Sequence, residues 1–272
     1  MSSLYNLFKL AKDNEPILQK RFIGVKKREE AKGIAIDTIF AYLDEHLNFS
    51  INFTAANLQY LAKDNIYKSA YKRFEGNKKK IYSHFGERKE QRLEFDSRFE
   101  NSVDFKYAAL NCGNIGLTYW GDYCLLFDLK EYEKSNAEIV FLQRNSLQKT
   151  DNRFYYFDND TELNIGKLLQ ESGTSTTKNE LICIKLAGKM SQVDDLPDLV
   201  CDSEGTEYIE MIFIEGNIIP YLLKAVTTKD TYRAFNKAIL KRKSKNITSE
   251  LLQQYKNIHQ FLEDNSIVLS LA

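Results

Sequence analysis

Histidine, cysteine and proline are scarce in this chain, and each shortage removes a class of protein. Its three histidines (His46, His84 and His259) lie far apart, and its four cysteines (Cys112, Cys124, Cys183 and Cys201) include no CxxC pair. No metal-ligand spacing is present, so a structural zinc site is not expected. Cys112 and Cys183 stand in apolar surroundings that suit reduced, buried thiols, as in a protein working in a reducing compartment. With three prolines and no Gly/Ser-rich or low-complexity stretch, nothing reads as a flexible interdomain linker, and no internal repeat is visible. Charge of one sign is not in excess either. Lys+Arg and Asp+Glu both number 38, which removes the overall basic surplus that phosphate neutralisation draws on, so a nucleic-acid partner is not expected. No window reaches the roughly 18 uncharged apolar residues of a membrane span. The opening MSSLYNLFKLAKDNEP carries Lys9 and Lys12 in or just after its short apolar stretch, unlike a cleavable signal peptide. Missing too are the phosphate-cradling GxxxxGK followed by Ser or Thr, and a GxGxxG between strand and helix, which disfavours a P-loop or a Rossmann unit.

What the 272 residues do contain is enough apolar material, 43% of the chain, for a sizeable core. The pattern predicts a single α+β domain over residues 1–272, with a helical part over about 1–100, a strand-rich part over about 101–230 and a C-terminal helix over about 247–263. In EEAKGIAIDTIFAYLDEHL, residues Ile34, Ile36, Ile39, Phe40, Leu43 and Leu47 fall near one helical stripe. NFSINF alternates Phe49, Ile51 and Phe53 with polar residues, predicting a short strand, and Thr54 offers an N-cap to AANLQYLAK. From about residue 103, DFKYAAL, DYCLLFDL, AEIVFLQR, RFYYFDN, ELICIKLAG and EYIEMIFI read as strands separated by Gly, Asn and Asp. TSELLQQYKNIHQFLED is a capped helix, and SIVLSL a last strand. Residues 68–92 are locally basic and 194–210 locally acidic, either two faces for different ligands or simply solvated surface.

Several residues carry candidate chemistry. Gly113, Gly116 and Gly121 permit close backbone approach to a ligand or ordinary hairpin turns. Tyr119 and Trp120, beside Gly121 and Asp122, offer rings that stack on a planar group or pack in a core. IVFLQRNSLQ ends a strand with Arg144, Asn145 and Ser146, where a hydroxyl orients a carboxylate on a neighbouring strand or serves a turn. In GTEYIEMIFIEG, strand alternation places Tyr208 with Glu210 on one face and Glu207 with Ile209 on the other, so the two glutamates form no dyad. Glu210, a lone carboxylate before MIFI, would be desolvated unless hydrogen-bonded, as at an active site, or left at an exposed edge.

In chain order, KYAALN, YWGDYCLLFD, EIVFLQRNS and EYIEMIFIEGNIIPYLLKAVTT are similar to the ordered motifs of a bacterial ADP-ribosyltransferase family. Those motifs are Tyr-Gly-Ala-Leu-Asn, a strand opening Gly-Ser/Asp-x-x-Leu, a serine-bearing strand end and Tyr-Ile/Val-Glu. The chain resembles in particular the CteC-like effectors, which transfer ADP-ribose from NAD to a threonine of host ubiquitin. With a loose first-strand match in NIYKSAYKRFEGN, the resemblance covers roughly residues 65–228. It implies an ADP-ribosyltransferase-like α+β fold with an antiparallel-rich split β core and N-terminal helices. It implies that Glu210 is the catalytic glutamate, binding the ribose 2′-hydroxyl and stabilising positive charge as nicotinamide leaves, with Ser146 orienting it. Tyr67, Ser69 and Arg73 stand where the family contacts NAD phosphate or ribose; Lys68 lies in the same stretch. Tyr107, Asn111, Tyr119 and Gly121 would line the nicotinamide side. Glu207 is left as a substrate-binding, partner-facing residue, the acidic stretch helping to dock a basic partner while the basic stretch holds the NAD diphosphate. Arginine-modifying members carry Glu-x-Glu, whereas Tyr208 stands two before Glu210, so the resemblance points away from arginine and is compatible with threonine. The implied protein is a metal-free, monomeric effector, secreted by a bacterium without a cleavable signal and acting in the host cytosol. Its partner would be ubiquitin or another protein, with no membrane contact. Two readings stay open beside it: NAD chemistry with another acceptor (other protein, nucleic acid, or water as in a glycohydrolase), and a non-catalytic interaction protein.

Overall fold

Period-two alternation sorts the residues of the central strands between two faces. Phe49, Ile51 and Phe53, then Tyr123, Leu125 and Phe127, then Ile209, Met211 and Phe213 enter the main core, while Ser50, Asn52 and Glu210 border a cleft on the opposite side. The computed structural model describes residues 4–75, 77–86, 89–136, 138–144, 146, 149–150, 153–159, 162–190, 193–202, 208–214, 216–239 and 248–271.

In chain order the strands are β1 (Asn48–Phe53), β2 (Lys106–Asn111), β3 (Tyr123–Phe127), β4 (Ile139–Leu142), β5 (Lys149–Thr150), β6 (Arg153–Phe154), β7 (Phe157–Asn159), β8 (Glu162–Leu163), β9 (Ser172–Gly173), β10 (Glu210–Phe213), β11 (Leu222–Thr227) and β12 (Leu269–Leu271). Eight of them form one sheet in the order β12, β11, β3, β1, β2, β10, β4, β9. Its neighbours are antiparallel except β11 and β12, which are parallel. β5 with β6 and β7 with β8 make two small separate ladders.

The helices are α1 (Leu7–Glu30), α2 (Ile36–His46), α3 (Ala55–Asp64), α4 (Ala70–Arg73), α5 (Lys78–Phe85), α6 (Lys89–Asp96), α7 (Leu129–Ser135), α8 (Ile165–Gln170), α9 (Lys178–Leu186), α10 (Leu196–Val200), α11 (Lys229–Ile239) and α12 (Ser249–Asp264). The main core lies between one sheet face and α1, α2, α3, α7, α9, α11 and α12. A second cluster, on the other face, packs Leu7 and Ala11 of α1 and Phe95 of α6 against Val140, Leu142 and Ile212. The chain is thus mixed α and β, with N-terminal helices and a large, mostly antiparallel sheet. No helix among the described residues is long and apolar enough to cross a membrane.

Four expectations need correction. ELICIKLAG is not a strand but helix α9, with Leu181, Ile182, Cys183, Ile184 and Leu186 all buried between α1, α2 and α10. A helix covered on nearly every side loses the 3.6-residue alternation that would announce it. The helix read over 29–47 starts later than its segment, because α1 ends at Glu30 and Gly33 takes φ +88° before α2 starts at Ile36; the stripe of Ile36, Ile39, Phe40 and Leu43 itself lies on α2, with Ile34 and Leu47 flanking it. RFYYFDN contributes only to the short ladders. The fourth is NIYKSAYKRFEGN, matched to the first strand of the family, which is instead a loop leading into α4; the strand that precedes it is β1. Unforeseen was the length of α1, whose Asn6 side chain accepts from the Lys9 amide and which carries Pro16 inside it. By contrast, α12 begins where Thr248 accepts from the Leu251 amide, as its cap pattern predicts.

Candidate functional site

Glu210 opens β10, flanked in register by Ala109 of β2 and Leu142 of β4. Alternation sends Ile209 into the main core and turns Glu210, with Tyr208, into a cleft of about 650 Å³. The cleft is bounded by the sheet, by α3 to α6 and by the turn carrying Leu117, Tyr119 and Trp120. Its size is that of a small-molecule site.

The Glu210 carboxylate is only 1% exposed although it borders the cleft, so it needs partners inside the protein. The Ser146 backbone amide donates to Oε2 at 2.9 Å, and Arg92 Nη2 donates to Oε1 at 3.1 Å. The other guanidinium nitrogen, Nη1, donates to Ser146 Oγ at 2.9 Å. Arg92 rides on α6, and its guanidinium carbon lies 3.6 Å from the centroid of the Tyr107 ring. One turn further along α6, Asp96 sits 3.9 Å from Nη1 and accepts hydrogen bonds from the Tyr71 hydroxyl at 2.6 Å and from the Tyr107 hydroxyl. One cation and two carboxylates are thus buried together, tied by hydroxyls and a backbone amide.

Burial sets the titration of this group. It pushes Asp96 up to about 6, against the pull of Arg92 and the hydrogen bonds from Tyr107 and Tyr71. Burial alone would lower Arg92, but the facing Tyr107, Glu210 and Asp96 hold it above its ordinary value. Tyr107 and Tyr71 are both raised by burial, so they stay neutral donors. On α5, which also lines the cleft, burial and nearby Arg73 push His84 down to about 4.

Of the residues singled out from the sequence, Glu210, Tyr67, Ser69, Arg73, Tyr107 and Tyr119 border the cleft together. Arg73 spreads its guanidinium 5.8 Å from the Tyr60 ring and 5.9 Å from Phe74. Tyr119, 56% exposed, presents its ring at the mouth, edge-on to Trp120. Tyr67 lies deeper, its hydroxyl 3.4 Å from the Tyr107 carbonyl oxygen. Ser146 meets Glu210, as a strand end beside β10 should, but through its backbone amide; its hydroxyl accepts from Arg92.

Three residues are committed to the protein itself. Ser69 caps α4 and donates to the Val103 carbonyl at 2.6 Å. Asn111, fully buried, accepts from the Gly113 and Asn114 amides and donates to Ser50 Oγ and the Asn114 carbonyl, shaping the loop after β2 rather than bordering the cleft. Gly121 has φ +148°, and a Cβ there would fall 2.0 Å from the Phe53 carbonyl carbon, so its role is the close approach to β1. Glu207 lies outside the described residues, with residues 203–206 of the acidic stretch. Sequence reasoning missed Arg92 and Asp96. It missed also Asn52, which fixes the turn by donating to the Ile115 and Gly121 carbonyls and accepting from the Leu117 amide.

Among the described residues no group of three His, Cys, Asp or Glu is placed to hold a metal ion. What the arrangement offers chemically is a fixed carboxylate in an aromatic-walled cleft, able to stabilise positive charge that develops there, with a further cation, Arg73 of α4, also lining the cleft. A scan against models of known protein families finds no match to this chain, and a search of curated proteins finds none either.

Proposed function

We propose that the protein is an NAD-dependent mono-ADP-ribosyltransferase with an ADP-ribosyltransferase-like split β core. The observation that carries this reading is Glu210: a carboxylate at the start of a strand, bordering a cleft and held by two donors from separate elements. In such a reaction the bond between nicotinamide nitrogen and ribose C1′ breaks, and its electron pair leaves with nicotinamide. Positive charge then spreads over C1′ and the ring oxygen. A preorganised carboxylate beside it lowers the barrier because its attraction grows toward the transition state. The acceptor oxygen forms the new bond to C1′ and releases its proton.

Tyr119 at the mouth is suited to stack on the nicotinamide, and Arg73 to meet the diphosphate. The acceptor we propose is a threonine of host ubiquitin, and the setting that of a secreted bacterial effector acting in host cytosol; both rest on the resemblance to CteC-like enzymes. Tyr208, 4% exposed and on the cleft side, occupies the place of the first glutamate of arginine-modifying relatives, which supports a hydroxyl acceptor. The test is mass spectrometry of ubiquitin after incubation with the protein and NAD, with nicotinamide release followed in parallel. A gain of one ADP-ribose on threonine is expected. Labelling of a different host protein would refute the acceptor alone, whereas no nicotinamide release and no labelling would refute the activity. Glu210→Gln should lose turnover while retaining the circular dichroism spectrum of the wild type, and an active variant would sink the assignment.

A further inference from the structure

We propose that Arg92 is a positioning residue of this site, a guanidinium that spans Glu210 and Ser146 and fixes the carboxylate in the orientation the transfer requires. The inference rests on the reading of Glu210 given above and extends it to α6, giving Arg92 a task other than the diphosphate contact expected of the basic stretch 68–92. Geometry carries it. Arg92 is borne by α6, 118 residues before Glu210 in the chain, yet its two terminal nitrogens bond one atom on each of two separate segments: Oε1 of Glu210 at the head of β10 and Oγ of Ser146 beyond β4. The fork is itself immobilised. Its flat face rests 3.6 Å from the Tyr107 ring centroid, and Asp96 stands one turn along the same helix. Asp96 in turn is pinned by the hydroxyls of Tyr71 and Tyr107.

Such a chain of contacts is wasteful for stability alone, because a buried ion pair returns little more than the hydration it loses. It is well suited to orientation, since a planar fork with two anchored ends leaves the carboxylate little rotational freedom. It also leaves Oε2 with the Ser146 amide as its one donor among the described contacts, on a residue that borders the cleft. The charge count is favourable too. Arg92, Glu210 and Asp96 sum to one negative charge when both carboxylates are ionised, so the guanidinium holds Glu210 without cancelling the field at the cleft.

Arg92→Lys keeps the cation but cannot hold both oxygens in one plane. With nicotinamide release from NAD as the readout, it should lower kcat by about 100-fold, the scale of a displacement of order 1 Å, while KM for NAD changes by less than about threefold. Ser146→Ala, a small change that preserves the backbone amide, frees one end of the fork and should lower kcat by about tenfold, again at constant KM. Adding guanidinium at millimolar concentration to Arg92→Ala should restore part of the lost kcat, which a purely structural role would not allow. Wild-type kcat in both Arg92→Lys and Ser146→Ala, or a loss confined to KM, would overturn the inference while leaving the transferase reading intact. A wild-type protein that releases no nicotinamide would remove the transferase reading, and the inference with it.

Discussion

Removing Arg92 and Glu210 one at a time should cost more in total than removing both together. The donor nitrogen and acceptor oxygen are 3.1 Å apart and the side chains 5% and 2% exposed. At an effective dielectric constant of about 20 the attraction is roughly 5 kcal/mol, and the loss of hydration nearly cancels it, so the intact pair contributes little net stability. Glu210→Gln leaves the guanidinium buried with Asp96 at 3.9 Å as its neighbouring carboxylate. Arg92→Met leaves Glu210 and Asp96 as two buried anions. Arg92→Met should therefore cost about 3–5 kcal/mol, roughly a 10 °C fall in Tm for a chain of this size, and Glu210→Gln less, because Asp96 still balances the guanidinium. In the double variant Asp96 is left as the one carboxylate of the three charges, still held by its two tyrosine hydroxyls, and the repulsion between two buried anions is gone. Its cost should fall short of the sum of the singles by about 2 kcal/mol or more. Urea unfolding of the four proteins at pH 7, followed by circular dichroism, closes the cycle. Additivity to within about 0.5 kcal/mol would show that the two residues do not couple and would refute the reasoning.

Three further outcomes follow from single contacts. Gly121→Ala forces a Cβ to within 2.0 Å of the Phe53 carbonyl carbon, where neither backbone has room to move; a loss of about 2 kcal/mol or more in a thermal melt is expected, and an unchanged Tm would contradict the close packing of the turn on β1. Asp96 is raised from 3.8 to about 6 in the folded protein, so its contribution to stability is full below pH 3.8 and lost as pH rises through 6. Asp96→Asn has no such loss, and its stability relative to wild type should increase between pH 4 and pH 8 by up to about 3 kcal/mol; a difference independent of pH in urea titrations would negate the assignment. Arg73→Gln should raise KM for NAD by about tenfold with little change in kcat, since Arg73 packs on Tyr60 and Phe74, is not among the groups bonded to Glu210, and would bind substrate and transition state alike. A loss confined to kcat would place Arg73 at the reacting atoms instead.

How much of this could be read from residues alone depends on how far each signal travels along the chain. Strand alternation is local, and it separated Glu210 and Tyr208 from Ile209 onto opposite faces before any coordinates were needed. Capping is local too, so the C-terminal helix was legible to within about two residues at its start. Helix α9 was not legible because burial on nearly every side erases its periodicity, and α1 was hidden by Pro16 and by charges spread along its length. Asn111 and Gly121 stand out in the sequence, and in the fold each has a structural task. An asparagine that closes a loop and a glycine that lets two backbones touch look, in sequence, like ligand-binding residues, because both uses demand the same conformational freedom.

Arg92 marks the boundary of what sequence reasoning reaches. In ERKEQRLEFD it is one of two basic residues on a short charged helix, and its only local mark is Asp96 four residues on, a spacing that ordinary surface pairs share. Its partners, Ser146 and Glu210, are 54 and 118 residues away. The desolvation argument nevertheless pointed to it indirectly. A lone carboxylate ahead of MIFI either sits at an exposed edge or has donors inside the protein. β10 is flanked on both sides, by β2 and β4, so the exposed-edge alternative fails. With a serine amide supplying one donor, a buried carboxylate of this kind still calls for a second, and a cation is the partner that best balances its charge. That requirement predicts the chemistry of Arg92 without its position, and only the docking of α6 over the open end of β10 determines which of the chain's many arginines and lysines meets it.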